Sequence, residues 1–150
     1  MLTASRSLAL NEVDKKEVNM SGVKELDRLL SAIKPRLSND EFVFCTVAAE
    51  LSDYAHLSPV ATFLELEGLT LVLLKHQAQN AGLKYESSFR QITLMVYSSL
   101  ESVGLTAAVS ARLASKSISA NVIAAYYHDH IFVPYDKAEQ ALLALNEFNE

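Results

Sequence analysis

The residues of this 150-residue chain that could do chemistry gather in two places. Around Gly104, Ser102 and Thr106 supply hydroxyls, and the apolar spacing that follows predicts a helix starting at the glycine. A helix start carries unpaired N–H groups and the positive end of the helix dipole, and a glycine lets an anion approach the backbone closely. The carboxylate of a free amino acid suits such a loop. Further on, His128-Asp129-His130 places two imidazoles on one strand face with a carboxylate between them, which are good ligand types for a metal. Zinc needs three or four ligands, and spacing brings neither His56, His76 nor Cys45 to the triplet. Solvated hairpin histidines are the better reading, and no metal or other cofactor is expected. Turn chemistry alone also favours Gly104 and Asp129, so a purely structural role for both stays open.

No catalytic residue is expected. The sequence has no Gly-x-Ser-x-Gly, and Cys45 lies among Phe42, Val43, Phe44 and Val47, as a buried strand thiol does and an activated one does not. Gly22, Gly68, Gly82 and Gly104 are isolated, so no phosphate-binding loop is formed. Glu65 and Glu67 have the alternate spacing of paired carboxylates, but without a cleft facing them they read as a solvated strand face.

Composition narrows the partners. Thirteen Lys and Arg against 18 Asp and Glu give a net charge of −5, which offers no favourable field to a nucleic-acid backbone. No apolar run approaches the ~20 residues of a membrane span, and one cysteine forms no internal disulfide, which together suit a cytoplasmic protein. Residues 1–19 are mixed in charge and read as a disordered or non-native leader, with natural translation expected to begin at Met20.

The elements that must position these residues follow from periodicity. Val23, Leu26, Leu29, Leu30 and Ile33 predict a helix capped by Ser21 and ended by Pro35. Residues 41–47 are apolar on both faces, as in a central strand, and 48–59 read as a loop. Strands at 61–67 and 70–75 flank a turn at Gly68, and a short helix at 76–81 stops at Gly82. Then come a strand at 89–98, a helix from Gly104 to Ser115, a strand at 120–127 that puts Tyr126 and Tyr127 on opposite faces, a turn at Asp129, and a strand at 130–134. Asp136 and Glu139 have the spacing of a capping box for a last helix. The order strand, helix, strand, strand, helix lacks one strand of a ferredoxin-like unit, and 41–47 is the candidate to complete its sheet, so the two halves interlock.

The stretch Leu100-Glu101-Ser102-Val103-Gly104-Leu105-Thr106-Ala107-Ala108-Val109, with Ile118 through Pro134, resembles an ACT domain. The chain is similar to small bacterial ACT-domain proteins of unknown role and, more distantly, to the tandem-ACT arginine sensors, which share the glycine loop and an Asp-containing hairpin. The resemblance implies an α+β, ferredoxin-like ACT fold in two interlocked units, 20–86 and 87–150, with antiparallel sheets covered by helices. It also implies a non-catalytic regulatory or sensor protein, a homodimer, that binds an amino acid or related metabolite and signals to a protein partner. By position, Val103, Gly104, Leu105 and Thr106 would line the carboxylate side, Asn121, Val122 and Ile123 would lie across a sheet interface, and Asp129 would meet an ammonium or basic group. The alternative function is an ACT-fold assembly module without a ligand.

Overall fold

Among the described residues seven strands make one sheet: β1 (Pro35–Leu37), β2 (Phe42–Val47), β3 (Ala61–Leu64), β4 (Leu69–Leu74), β5 (Ser88–Leu94), β6 (Asn121–Ala124) and β7 (Asp129–Pro134). The helices are α1 (24–31), α2 (Leu51–Tyr54), α3 (Lys75–Asn80), α4 (Leu105–Ser115) and α5 (Ala138–Asn146). This computed structural model describes residues 24–96 and 102–150. The expected leader, the Met20 start, the Ser21 cap, Val23 and the Tyr97–Ser98 strand end lie outside them.

The strand order is β3-β4-β2-β5-β7-β6, every pairing is antiparallel, and β1 joins β5 on the edge that β2 also uses. Strand periodicity divides the side chains between two faces. One face carries Val43, Cys45, Leu71, Leu73, Ile92, Leu94, Ile131 and Val133, which form two buried clusters beneath the helices. The opposite face carries Phe42, Phe132 and Val72, with Phe44, Phe89 and Ile123 packed around them. Phe44 and Phe132 stand on strands either side of β5, yet their rings meet edge to face at 5.6 Å, so the sheet curls over β5. The Phe42–Phe132 and Phe44–Phe89 pairs, at 5.5 and 5.3 Å, extend the same cluster. This is the expected α+β, ferredoxin-like ACT architecture.

Several elements differ from their sequence reading. Residues 51–57 are helical rather than loop, a turn of α-helix and one of 3₁₀, because Leu57 anchors them to the core. The 120–127 strand ends at Ala124, and Tyr126 and Tyr127 stack edge to face at 5.0 Å in an exposed turn instead of pointing to opposite sheet faces. The turn precedes Asp129, closed by the Ala125 N–H to the His128 carbonyl, and Asp129 is already in β7. Glu65 and Glu67 also fall in a turn rather than on a strand, with the Thr70 hydroxyl donating to the Glu65 carboxylate. Gly68 is required there, since a Cβ would lie 2.8 Å from the Val47 carbonyl oxygen. The capping box does not form. Residues 135–137 make a 3₁₀ turn, no side chain caps α5, and Glu139 reaches a long-range partner, Arg90, at 3.0 Å.

The missing strand of the C-terminal unit is supplied in two pieces. Leu37, Arg36 and Pro35 pair with Ile92, Thr93 and Leu94, while Phe42 and Val43 pair with Phe89 and Ser88. Of residues 41–47, only Phe42 and Val43 therefore complete that sheet. Pro35 is tolerated because β1 is a three-residue outer piece that needs few donors. Leu29 and Ile33, with Leu26 and Leu30 beside them, sink into the core of α4 and α5, so α1 and β1 pack on the C-terminal unit although they belong by sequence to the N-terminal one.

Arg90 holds the break between the two pieces. Its Nε donates to the Ser38 carbonyl (2.9 Å), one terminal nitrogen to Asn39 Oδ1 (3.3 Å), and the other to Glu139 (3.0 Å). The guanidinium is largely buried, whereas Glu139 is 76% exposed, so the backbone contact outweighs the ion pair. Replacing Arg90 with Ala is expected to cost about 1–3 kcal/mol, and Arg90→Lys most of that, because a lysine cannot bridge all three acceptors. Glu139→Ala should cost less than about 0.5 kcal/mol. Urea denaturation reads all three, and equal losses for Arg90→Ala and Glu139→Ala would contradict the assignment.

Candidate functional site

The Gly104 loop forms from local necessity. The chain must turn from β5 into α4 whose buried stripe is Leu105, Val109 and Leu113, and Gly104 makes the turn at φ +100°, a region that disfavours side chains. The Gly104 carbonyl accepts the first helical bond from Ala108 N–H (2.9 Å). Among the described residues no side chain caps the helix, so the N–H groups of residues 105–107 form an uncapped donor set at the positive end of an 11-residue helix. Ser102, Val103 and Thr106 are exposed around it, and Val103 is 89% exposed. Leu105 is a core residue, so its N–H is all it can offer a ligand. A second constraint on the glycine was not visible in sequence: a Cβ at 104 would lie 3.0 Å from Leu26 Cδ2 of α1.

The other candidates are spread along β6 and β7. Asp129 pairs with Leu94 and Ala124, which puts it at the sheet end from which the chain leaves for α4. Ile123 is one register pair further in and Asn121 three, about 10 Å along the strand. They also divide between faces: Val122 packs beneath the helices, Ile123 joins the phenylalanine face, and Asn121 donates its Nδ2 to the Phe132 carbonyl (3.2 Å). The register thus puts Asp129 at the end of the sheet where β5 finishes and leaves Asn121 towards the other.

His130 sits on the phenylalanine face with Nδ1 2.8 Å from Gln91 Nε2 and 3.0 Å from Thr93 Oγ1. Because the Gln91 amide donates, Nδ1 is the acceptor and the neutral ring carries its proton on Nε2. Burial pushes this imidazole below the usual histidine range, His128 adds to the shift and Asp129 opposes it. Nδ1 is therefore committed to the sheet, and among the described residues no three His, Cys, Asp or Glu side chains form a group that could hold a metal ion. Cys45 is buried, and desolvation raises its thiol, the opposite of an activated nucleophile.

Two concavities lie elsewhere. One of about 290 Å³, near Asp40, His76 and Gln79, is bridged by Lys75 Nζ to Glu41 Oε1 at 3.0 Å. The Glu41 carboxyl is held below the usual range by the Ser88 hydroxyl and by Lys75. The other, about 810 Å³, opens between β2 and the chain entering β5, with Phe44, Thr46, Lys84, Glu86 and Phe89 among its walls. Sequence reading missed it, because it depends on where two strands stop pairing and not on a motif.

Comparison with known proteins bears directly on this geometry. Two ACT-domain family models match the chain, at residues 21–90 and 86–147, and they overlap where β5 begins. A protein of unknown function from Vibrio cholerae, described as a possible transport protein, is 56% identical, with a TM-score of 0.81 over 86% of this chain and 99% of its own. A protein from Agrobacterium tumefaciens is 14% identical, TM-score 0.63, over 78% and 89% of the two chains. The regulatory subunit of aspartate kinase from Thermus thermophilus, in its ligand-free form, shares the fold at 12% identity and TM-score 0.59, over 77% and 96%. No curated protein sequence matches significantly. With both halves matched by ACT models and the shared sheet joining them, this chain belongs to the ACT-domain family as a tandem of two ACT domains.

Proposed function

We propose that this tandem ACT protein is a non-catalytic, cytoplasmic regulator that binds a free amino acid or a related small metabolite and reports it to a protein partner. The supporting observation is the uncapped start of α4, whose backbone donors are presented through the left-handed Gly104 between exposed Ser102, Val103 and Thr106. A ligand carboxylate takes those donors, and Asp129, at the end of the sheet where β5 finishes, faces the ammonium. Asn121, Val122 and Ile123, on the outermost strand, meet a second copy in a homodimer. Ligand binding then favours one arrangement of the copies to the extent that it binds that arrangement better.

The second reading, an assembly module without a ligand, draws on the opposite edge. There Phe63, Leu64 and Leu66 are 70%, 80% and 103% exposed on and beside the edge strand β3, which pairs with β4 on one side only.

A thermal-shift screen of the chain against the twenty amino acids at millimolar concentration separates the two. A ligand at about 100 times its Kd adds about 2.7 kcal/mol, which moves the midpoint of a protein this size by about 5–10 °C. Gly104→Val is a poor control, since the valine would be strained and would press on Leu26. Thr106→Asp is better: a carboxylate in the first turn stabilises the helix by about 0.3–1 kcal/mol while repelling a bound carboxylate. The expected result is a selective shift for one or a few amino acids that Thr106→Asp abolishes. No shift from any of them would reject the ligand reading in favour of assembly.

A further inference from the structure

We propose that the 810 Å³ cleft between β2 and residues 83–87 is a second binding site, one that takes a short zwitterionic peptide of two or three residues bearing an apolar side chain. It lies at the start of β5, shares no lining residue with the Gly104 loop, and does not rest on the reading of that loop.

The main chain supplies the first argument. The Glu41 carbonyl accepts from Lys75 N–H at 2.9 Å, so in the β2–β4 register residues 41, 43, 45 and 47 commit their backbone groups to β4. Phe42, Phe44 and Thr46 aim theirs the other way. The ladder on that side contains only Phe42↔Phe89 and Val43↔Ser88, after which the strands part. The N–H and C=O of Thr46 consequently open into the cleft with no strand opposite them. A paired donor and acceptor of this kind is the template that an extended peptide uses when it adds to a sheet.

The side chains select the occupant. Phe44 and Phe89, edge to face at 5.3 Å, make an apolar wall. Lys84 and Glu86 are exposed on the passing segment, and neither is in an ion pair among the described residues. Lys84 and Glu86 are two residues apart, at most about 7 Å along the chain, close to the span of an extended dipeptide between its charged ends. Lys84 thus suits the terminal carboxylate and Glu86 the terminal ammonium. The volume falls within the range of about 300–1,000 Å³ of small-molecule sites and exceeds what one amino acid fills.

NMR titration of the full chain with alanyl-phenylalanine tests the site. Saturable shifts are expected at the amides of Thr46, Glu86 and Ser87, with those of residues 105–107 unmoved. The C-terminally amidated dipeptide should bind about tenfold more weakly, the scale of one charge-assisted hydrogen bond. Lys84→Glu, a change at an exposed position, should remove that preference. No saturation by about 10 mM peptide, or an unchanged preference in Lys84→Glu, would overturn the proposal. Shifts confined to residues 105–107 would also overturn it while leaving the Gly104 reading intact.

Discussion

One edge of β5 has to serve two masters, and the rest of the molecule follows from how it is shared. Its C-terminal half takes β1 and its first residues take β2, so the strand that opens the second ACT domain also closes the sheet of the first. The two halves of the edge cannot be filled by one straight strand, and the chain kinks away at residues 38–41 between them. Arg90 stabilises that kink from beneath, through the Ser38 carbonyl and Asn39. The far end of the chain is tied back to the same region, since Asn149 Nδ2 donates to the Ile33 carbonyl at 2.9 Å. Arg112 adds a second tie, donating to Glu147 and lying 4.2 Å over the Phe148 ring.

This sharing explains which parts of the fold were legible in sequence. Strands buried on both faces, such as β2, and helices with a clean stripe, such as α4, announce themselves because burial dictates their residue types. β1 does not: three residues containing Pro35 and the exposed Arg36 carry no strand signature, and only the free edge of β5 makes them one. The capping box at Asp136 and Glu139 was a sound local rule defeated by a distant partner, Arg90. Tyr126 and Tyr127 have strong strand propensity, yet the hairpin needed its turn there.

The candidate site was legible in the same uneven way. Gly104 stood out because a helix start preceded by glycine is a local pattern, and its backbone angle bears that pattern out. Its contact with Leu26 was invisible, being 78 positions away in sequence, and it gives the glycine a packing role beside any binding role. The cleft at Thr46 left no sequence trace, since main-chain groups without partners look the same in every residue type. The cleft lies at the start of β5, and Asp129 pairs at its other end, about 20 Å along the strand.

The central claim is that the shared strand makes two ACT domains into one cooperative body, and native-state hydrogen exchange tests it most directly. If the claim holds, slow amides of β2 and β4 open with the same free energy as those of β5 and β7, because neither sheet half survives loss of the other. If β2 and β4 exchange through an opening several kcal/mol easier than that of β5 and β7, the two domains unfold separately and the shared edge does not carry the structure.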